Sequence, residues 1–380
     1  MTTVLTNLEE WLVQQDWRGW DPFDALNSPL LKSLTLGMHF PGIAWLQLLK
    51  RLPLNLRPLL SVTKRHNAKA IGLFLSAHAL RYQRTHEASD LARINYFYDW
   101  LFNNANREFG GAGWGYPFDW PNRTFYCPAG TPTVVNTAFI GFALLEAYHA
   151  TADERQLALA TAAAEFINAG LNSSRDEAGE CSSYTPLDNA RVHNANLLGG
   201  ALLWEVGSLS QNSGFLATAA ARYNWSLAHQ AADGSWPYGV STSQGWIDSF
   251  HTGYNLDALD RAVRLTPDPV FESALERGYR FYLDNFFEED GTVKYYHEDR
   301  WPLDAHAFAH AIITLTRLQR LDSRSLPLRR LVLGQLQQRF WSNRGYFYYQ
   351  QQRHHTNRIA YTRWVQAWAF LALVTCCEET

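Results

Sequence analysis

Six times along the chain a short polar start gives way to a run rich in small and aliphatic residues. The runs are "RHNAKAIGLFLSAHAL" from Arg65, "TVVNTAFIGFALLEAY" from Thr133, "VHNANLLGGALLWEV" from Val192, "FHTGYNLDALDRAV" from Phe250, "DAHAFAHAIITLTRL" from Asp304 and "AYTRWVQAWAFLAL" from Ala360. Their polar starts, at Asn67, Asn136, Asn194, Thr252, His306 and Arg363, lie 69, 58, 58, 54 and 57 residues apart. A helix that is apolar on all sides must be buried. Between these runs stand segments of another kind: "SDLARINYFYDWLF", "ERQLALATAAAEFINAGL", "GFLATAAARYNWSLAHQ", "FESALERGYRFYLDNFF" and "PLRRLVLGQLQQRF". Their apolar residues recur at steps of three and four, as in a helix with one wet face. A sixth helix of this outer kind is needed, and "GIAWLQLLKRL" from Gly42 is its expected source.

Each outer segment is followed by a glycine-centred turn and a short aromatic stretch: "GGAGWGYPFDW", "GECSSYTP", "DGSWPYG", "DGTVKYYH" and "NRGYFYYQQ". Glycine suits such turns, and alternating aromatics suit brief β-hairpins. The repeated unit is therefore outer helix, turn, short strand, inner helix. Six such units predict an all-α (α/α)6 toroid, with inner helices around an axis, outer helices behind them, and short β-hairpins at one mouth. An open solenoid would need polar end caps, whereas the last inner run, "RWVQAWAFLALV", is among the most apolar. The toroid is expected over residues 61–380. Residues 1–60, which include "WRGWDPFDALNSPLL", are expected to form an N-terminal helical extension packed on the barrel.

Composition narrows the function. The net charge is −3 with no basic block, which argues against nucleic acid as a partner. No run approaches the roughly 18–20 apolar residues of a membrane span. The opening "MTTVLTNLEEWLVQQDW" lacks the basic and apolar regions of a secretory signal, so a cytoplasmic location is expected. The four cysteines have no metal-binding spacing, and neither a metal nor a cofactor is expected. With 15 Trp, 18 Tyr and 21 Phe, many beside Gly, Asn or Asp in the loops, the chain has material for ring-stacking surfaces.

The repeat resembles the α/α-toroid superfamily of six-hairpin glycosidases, uronate epimerases and lyases, and terpenoid cyclases. "QAADGSW", from Gln230 to Trp236, matches the Q-x3-G-x-W turn of the cyclase branch. The DxDD cluster that protonates an alkene there is absent, as is the zinc set of prenyltransferases, so the shared turn implies shape rather than chemistry. "TPTVVNTAF" and "DSFHTGYNLDAL" are also similar to a bacterial group of helical-toroid proteins associated with polysaccharide production. That resemblance covers most of the chain after about residue 60 and implies no particular mechanism.

In such a toroid the six inner-helix starts surround one mouth, where their unpaired N–H groups and partial positive charges favour an anion. Arg65, Arg191 and Arg363 stand at or beside those starts. A substrate-binding set is expected from Arg65, His66, Asn67, Trp114, Tyr116, Asn136, Arg191, His193, Asn194, Trp236, Trp246, His310, Arg363 and Trp364, with an acidic oligosaccharide or polysaccharide as the ligand. Candidate catalytic residues are Asp248, His251, Tyr254, Asp304 and His306. His251 and Tyr254 share a helical face with Asp248 just upstream. A His–Tyr pair near arginines suits proton abstraction beside a carboxylate, as in a uronate lyase or C5-epimerase. Asp248 and Asp304 instead suit glycoside hydrolysis, if their separation allows it. Both aspartates are equally placed to cap their helices, and "HAFAH", from His306 to His310, lacks the glutamate of a zinc HExxH motif. A non-catalytic glycan-binding or scaffold toroid is the reading of a different class. Isoprenoid cyclisation is opposed by the missing acid cluster.

Overall fold

The computed structural model describes residues 2–35, 38–121 and 125–377. Three helices, α1 (Thr2–Gln14), α2 (Pro29–Thr35) and α3 (His39–Arg51), precede five inner–outer pairs. The pairs are α4 (Ala68–Thr85) with α5 (Ala88–Asn103), α6 (Val134–Thr151) with α7 (Glu154–Ala169), α8 (His193–Ser210) with α9 (Ser213–Ala228), α10 (Ser249–Leu265) with α11 (Pro269–Asn285), and α12 (Ala305–Arg317) with α13 (Ser325–Phe340). The last helix, α14 (Ala367–Cys376), is entered through a single π turn, Thr362–Gln366.

The apolar runs do become the inner helices, and they close. Each of α4, α6, α8, α10 and α12 packs on the next in order, α12 packs on α14, and α14 returns to α4. Side chains of α6, α8, α12 and α14 are buried almost throughout, as expected for helices covered on every side. The ring is the (α/α)6 toroid the repeat predicts.

The sixth outer helix is α1, not the segment from Gly42. Leu8 and Leu12 on α1 have no exposed surface and belong to the main core. The glycine turns give the same answer. The turn after α9 abuts the backbone of the next outer helix, where a Cβ on Gly234 would lie 2.4 Å from the Arg277 carbonyl oxygen of α11. The turn after α13 abuts α1 in the same manner, at 2.9 Å from Gly345 to the Asn7 carbonyl oxygen. Helix α3 instead crosses the mouth of the ring, over a small separate core of Ala25, Leu31, Leu46 and Leu49. Its apolar spacing resembles that of an outer helix because it too has one packed and one outward face.

Leu8→Ala is accordingly expected to cost about 3 kcal/mol, the middle of the range for emptying a leucine site in a core. Denaturant unfolding measures this. A loss within about 0.5 kcal/mol, the usual surface value, would make α1 an appendage.

The two mouths differ. At one, inner helices turn directly into outer ones, with His86, Ala152 and Gln211 taking left-handed backbone at the ends of α4, α6 and α8 (φ 53°, 56° and 54°). At the other mouth run the long aromatic loops. These carry the antiparallel pairs β1 (Trp120–Pro121) with β2 (Tyr126–Cys127) and β3 (Ser173–Asp176) with β4 (Gly179–Ser182), and a sheet of β5 (Leu303–Asp304), β6 (Gln350–Gln351) and β7 (Thr356–Asn357) in that order. The turns after α11 and α13 form single bridges, Phe287 to Val293 and Trp341 to Phe347, rather than ladders.

Candidate active site

A cavity of about 360 Å³ opens at the mouth where the inner helices begin, within the size range of small-ligand sites. The polar starts serve first as caps. The side chains of Asn67, Thr133, Asp248 and Asp304 accept from the backbone N–H groups of Lys69, Asn136, His251 and His306, satisfying donors that a helix start leaves open.

Asp248 does more than cap. Its Oδ2 accepts from the Trp246 indole at 3.0 Å and from His251 Nδ1 at 2.6 Å, while Oδ1 accepts from the His251 backbone at 2.9 Å. The carboxylate is nearly buried, and His251 keeps about a quarter of its side chain exposed (23%) while lining the cavity. A carboxylate partner makes Nδ1 the donor of this pair, and in the neutral imidazole Nε2 then carries the lone pair. This is an oriented base at the cavity wall.

One helical turn on, the Tyr254 hydroxyl lies 2.8 Å from His306 Nε2, and both side chains line the same cavity. Burial drives the Tyr254 phenol well above its ordinary range and His306 well below its own, the latter helped by the charge of Lys69. The pair is therefore neutral at physiological pH: a phenol that can give a proton, held in place by the imidazole.

Lys69, the second residue of α4, was not among the residues expected at the site. Its ammonium lies over the rings of Phe139 (4.2 Å), Tyr254 (5.0 Å) and Trp368 (5.2 Å), lines the cavity, and has no ion pair among the described residues. Burial, with Arg363 nearby, lowers its affinity for the proton well below the usual lysine range, while the three ring faces act in the opposite direction. Lys50 reaches the cavity from α3, its pKa pulled down to about 8 by burial against the attraction of Asp304. Aromatic walls complete the space. Tyr238 stacks on Trp246 (4.6 Å, 12°) and Tyr116 on Phe118 (5.2 Å, 8°), presenting faces of the kind that sugar rings pack on.

Of the expected residues, the cavity gathers Asp248, His251, Tyr254, His306, Tyr116, Trp246, Arg363 and Trp364. The others lie elsewhere. Asp304 has no exposed surface and accepts from Gln350 Nε2 (2.8 Å) and Trp364 Nε1 (3.1 Å) behind the cavity wall. The two aspartates therefore do not face one space, and the geometry expected for a pair of hydrolytic carboxyl groups is not formed. Arg363 is held by Asp21 at 2.5 and 2.7 Å, so its charge is met inside the protein. His310 sits beneath Tyr254, 3.6 Å from Asp257 and 3.3 Å from Thr314. Trp114 and Trp236 are buried, each donating to a backbone carbonyl, of Leu101 and Ser226 respectively. His193 stacks on Trp225, and Asn136 and Asn194 are buried within their helices. Arg65 and His66 border a separate cleft, Asn67 is spent as a cap, and Arg191 is exposed. Among the described residues no group of three His, Cys, Asp or Glu side chains is placed to share a metal ion.

Burial raises the Asp304 carboxyl from 3.8 to about 6, against the hydrogen bonds it accepts and the charge of Lys50. The folded chain then keeps a proton that the unfolded chain has lost. This stabilisation is complete below about pH 4 and disappears as pH rises to about 6, a loss of about 3 kcal/mol. Asp304→Asn should lack that dependence while carrying a constant offset for its altered hydrogen bonds. Urea unfolding of both proteins across this range checks it; parallel curves would mean that Asp304 ionises normally.

Neither a protein-family model nor a curated protein matches the sequence. Solved structures do match the fold. A cellobiose 2-epimerase from Bacillus thermoamylovorans B4167 aligns with a TM-score of 0.65 at 13% identity, over 83% of this chain and 90% of that one. A GH76 α-mannanase from Bacteroides thetaiotaomicron gives 0.63 at 11%, over 84% and 88%. An unsaturated glucuronyl hydrolase specific for heparin gives 0.60 at 12%, over 82% and 86%. The chain thus shares the α/α-toroid fold of these structures.

Proposed function

We propose that this protein is a carbohydrate-active enzyme that abstracts and returns a proton on an acidic oligo- or polysaccharide, in the manner of a uronate epimerase or lyase. The observation that carries this reading is the pairing, in one cavity, of an Asp248-oriented His251 with a neutral Tyr254–His306 couple. A base on one group and a proton donor on the other are what removal of a C–H proton beside a carboxylate requires. Hydrolysis by two carboxyl groups is disfavoured, because Asp248 is the one carboxylate lining the cavity among the described residues. The fold neighbours, named as a cellobiose 2-epimerase, a mannanase and a glucuronyl hydrolase, support a saccharide substrate without choosing the reaction.

Lys69 is the anchor for the substrate's acidic group. A charge-assisted contact of this kind contributes about 1.5–3 kcal/mol, so Lys69→Met should raise KM for a uronate-containing oligosaccharide by about 10- to 100-fold. KM for its neutral counterpart should be nearly unchanged. The test assays both substrates for altered sugar configuration and for ultraviolet-absorbing unsaturated ends. Equal effects on the two would remove the acidic group from the reading.

A further inference from the structure

We propose that the face around α3 docks on an anionic lipid bilayer, so that the cavity opens at a membrane surface. Leu30, Leu34, Met38, Leu48, Leu54 and Leu59 are exposed by 47% to 82%. No other stretch of similar length among the described residues exposes as many large apolar side chains. Isolated exposed leucines need no explanation, but a concentration of them marks a contact surface. Helix α3 carries this surface on one side: Ala44 and Leu48, four apart, point outward, while Leu46, Gln47 and Lys50 on the other side line the cavity.

Charge selects the occupant. Between Asp24 and the start of α4 the chain has six Lys and Arg residues and no Asp or Glu, although the protein as a whole is acidic. Of these, Lys32, Arg51, Lys64 and Arg65 are exposed. Lys32 is met by Asp119 at 2.7 Å, but leucines in a segment that itself holds cations and no carboxylate suit shallow insertion between anionic headgroups, and they mismatch a second copy of a chain whose segment here carries the same sign. Among the described residues no helix is long and apolar enough to cross the bilayer, and the contact proposed is peripheral. Glycans held near lipid headgroups would meet the cavity directly.

The experiment floats the full chain with vesicles of phosphatidylcholine alone and of phosphatidylcholine with phosphatidylglycerol, at low and high salt. Leu54→Glu/Leu59→Glu tests the face, and Val270→Glu, exposed on α11 at 63%, is the control. All three proteins are checked for an unchanged melting transition. Binding is expected to the anionic vesicles only, weaker in high salt, at least tenfold weaker in the double variant and unchanged in the control. Failure to float with anionic vesicles, or equal loss in both variants, overturns the proposal. So does a dimer seen by light scattering that the double variant abolishes while no vesicle is bound; the face would then join two copies.

Discussion

Replacing His251 with Gln should lower kcat by about 10³-fold on the natural glycan, within the 10²- to 10⁴-fold range of a positioned acid or base, with KM little changed. His251 is the partly exposed titratable group that a buried carboxylate orients toward the cavity. Glutamine fills similar space and leaves Asp248 accepting from the backbone at position 251, so the helix start is retained. Asp248→Asn tests the same assignment from behind. An amide still accepts, but it offers Nδ1 a donor as readily as an acceptor, so the ring loses its fixed tautomer. A substantial further fall in kcat is expected there, again without a matching rise in KM. Equal rises in KM for both variants would make the pair a binding element rather than a base.

Tyr254→Phe should separate the two halves of the reaction. If His251 removes the proton and Tyr254 delivers one, the variant still exchanges the substrate C–H with solvent but makes new product about 10²- to 10³-fold more slowly. Burial keeps the phenol protonated at neutral pH, so its loss removes a donor, not a base. The substitution also leaves His306 Nε2 without its partner, at a cost of about 1–3 kcal/mol in stability, which a melting measurement reads separately. Loss of exchange and product together would place Tyr254 in proton removal instead.

The repeat made the architecture legible because burial is written in composition: six runs rich in small and aliphatic residues, most of them nearly uncharged, read as inner helices. The sixth outer helix was not legible. Leu8 and Leu12 on α1, four apart, and Leu46 and Leu49 on α3, three apart, both fit a helix with one packed face, and which pair completes the ring depends on where the chain's ends meet. The site was half legible. Asp248, His251 and Tyr254 follow one another at three-residue steps, so local spacing places them on one wall. Asp304 has the same sequence signature, but the indole of Trp364 and the amide of Gln350, brought in by other segments, close over it. Asp21, from the first twenty-five residues, likewise neutralises Arg363. Lys69 left one usable signal, a lone cation inside an apolar run. The ring faces around it come from α6, α10 and α14, which nothing near Lys69 in sequence foretells.

The most direct measurement is reaction of the protein in deuterium oxide with uronate-containing oligosaccharides, followed by magnetic resonance of the recovered sugars. The arrangement of His251 and Tyr254 predicts loss of the hydrogen beside the carboxylate, either to deuterium in an inverted sugar or to the double bond of an unsaturated end, and no such loss with His251→Gln. Release of new reducing ends with every C–H position left unlabelled would contradict it.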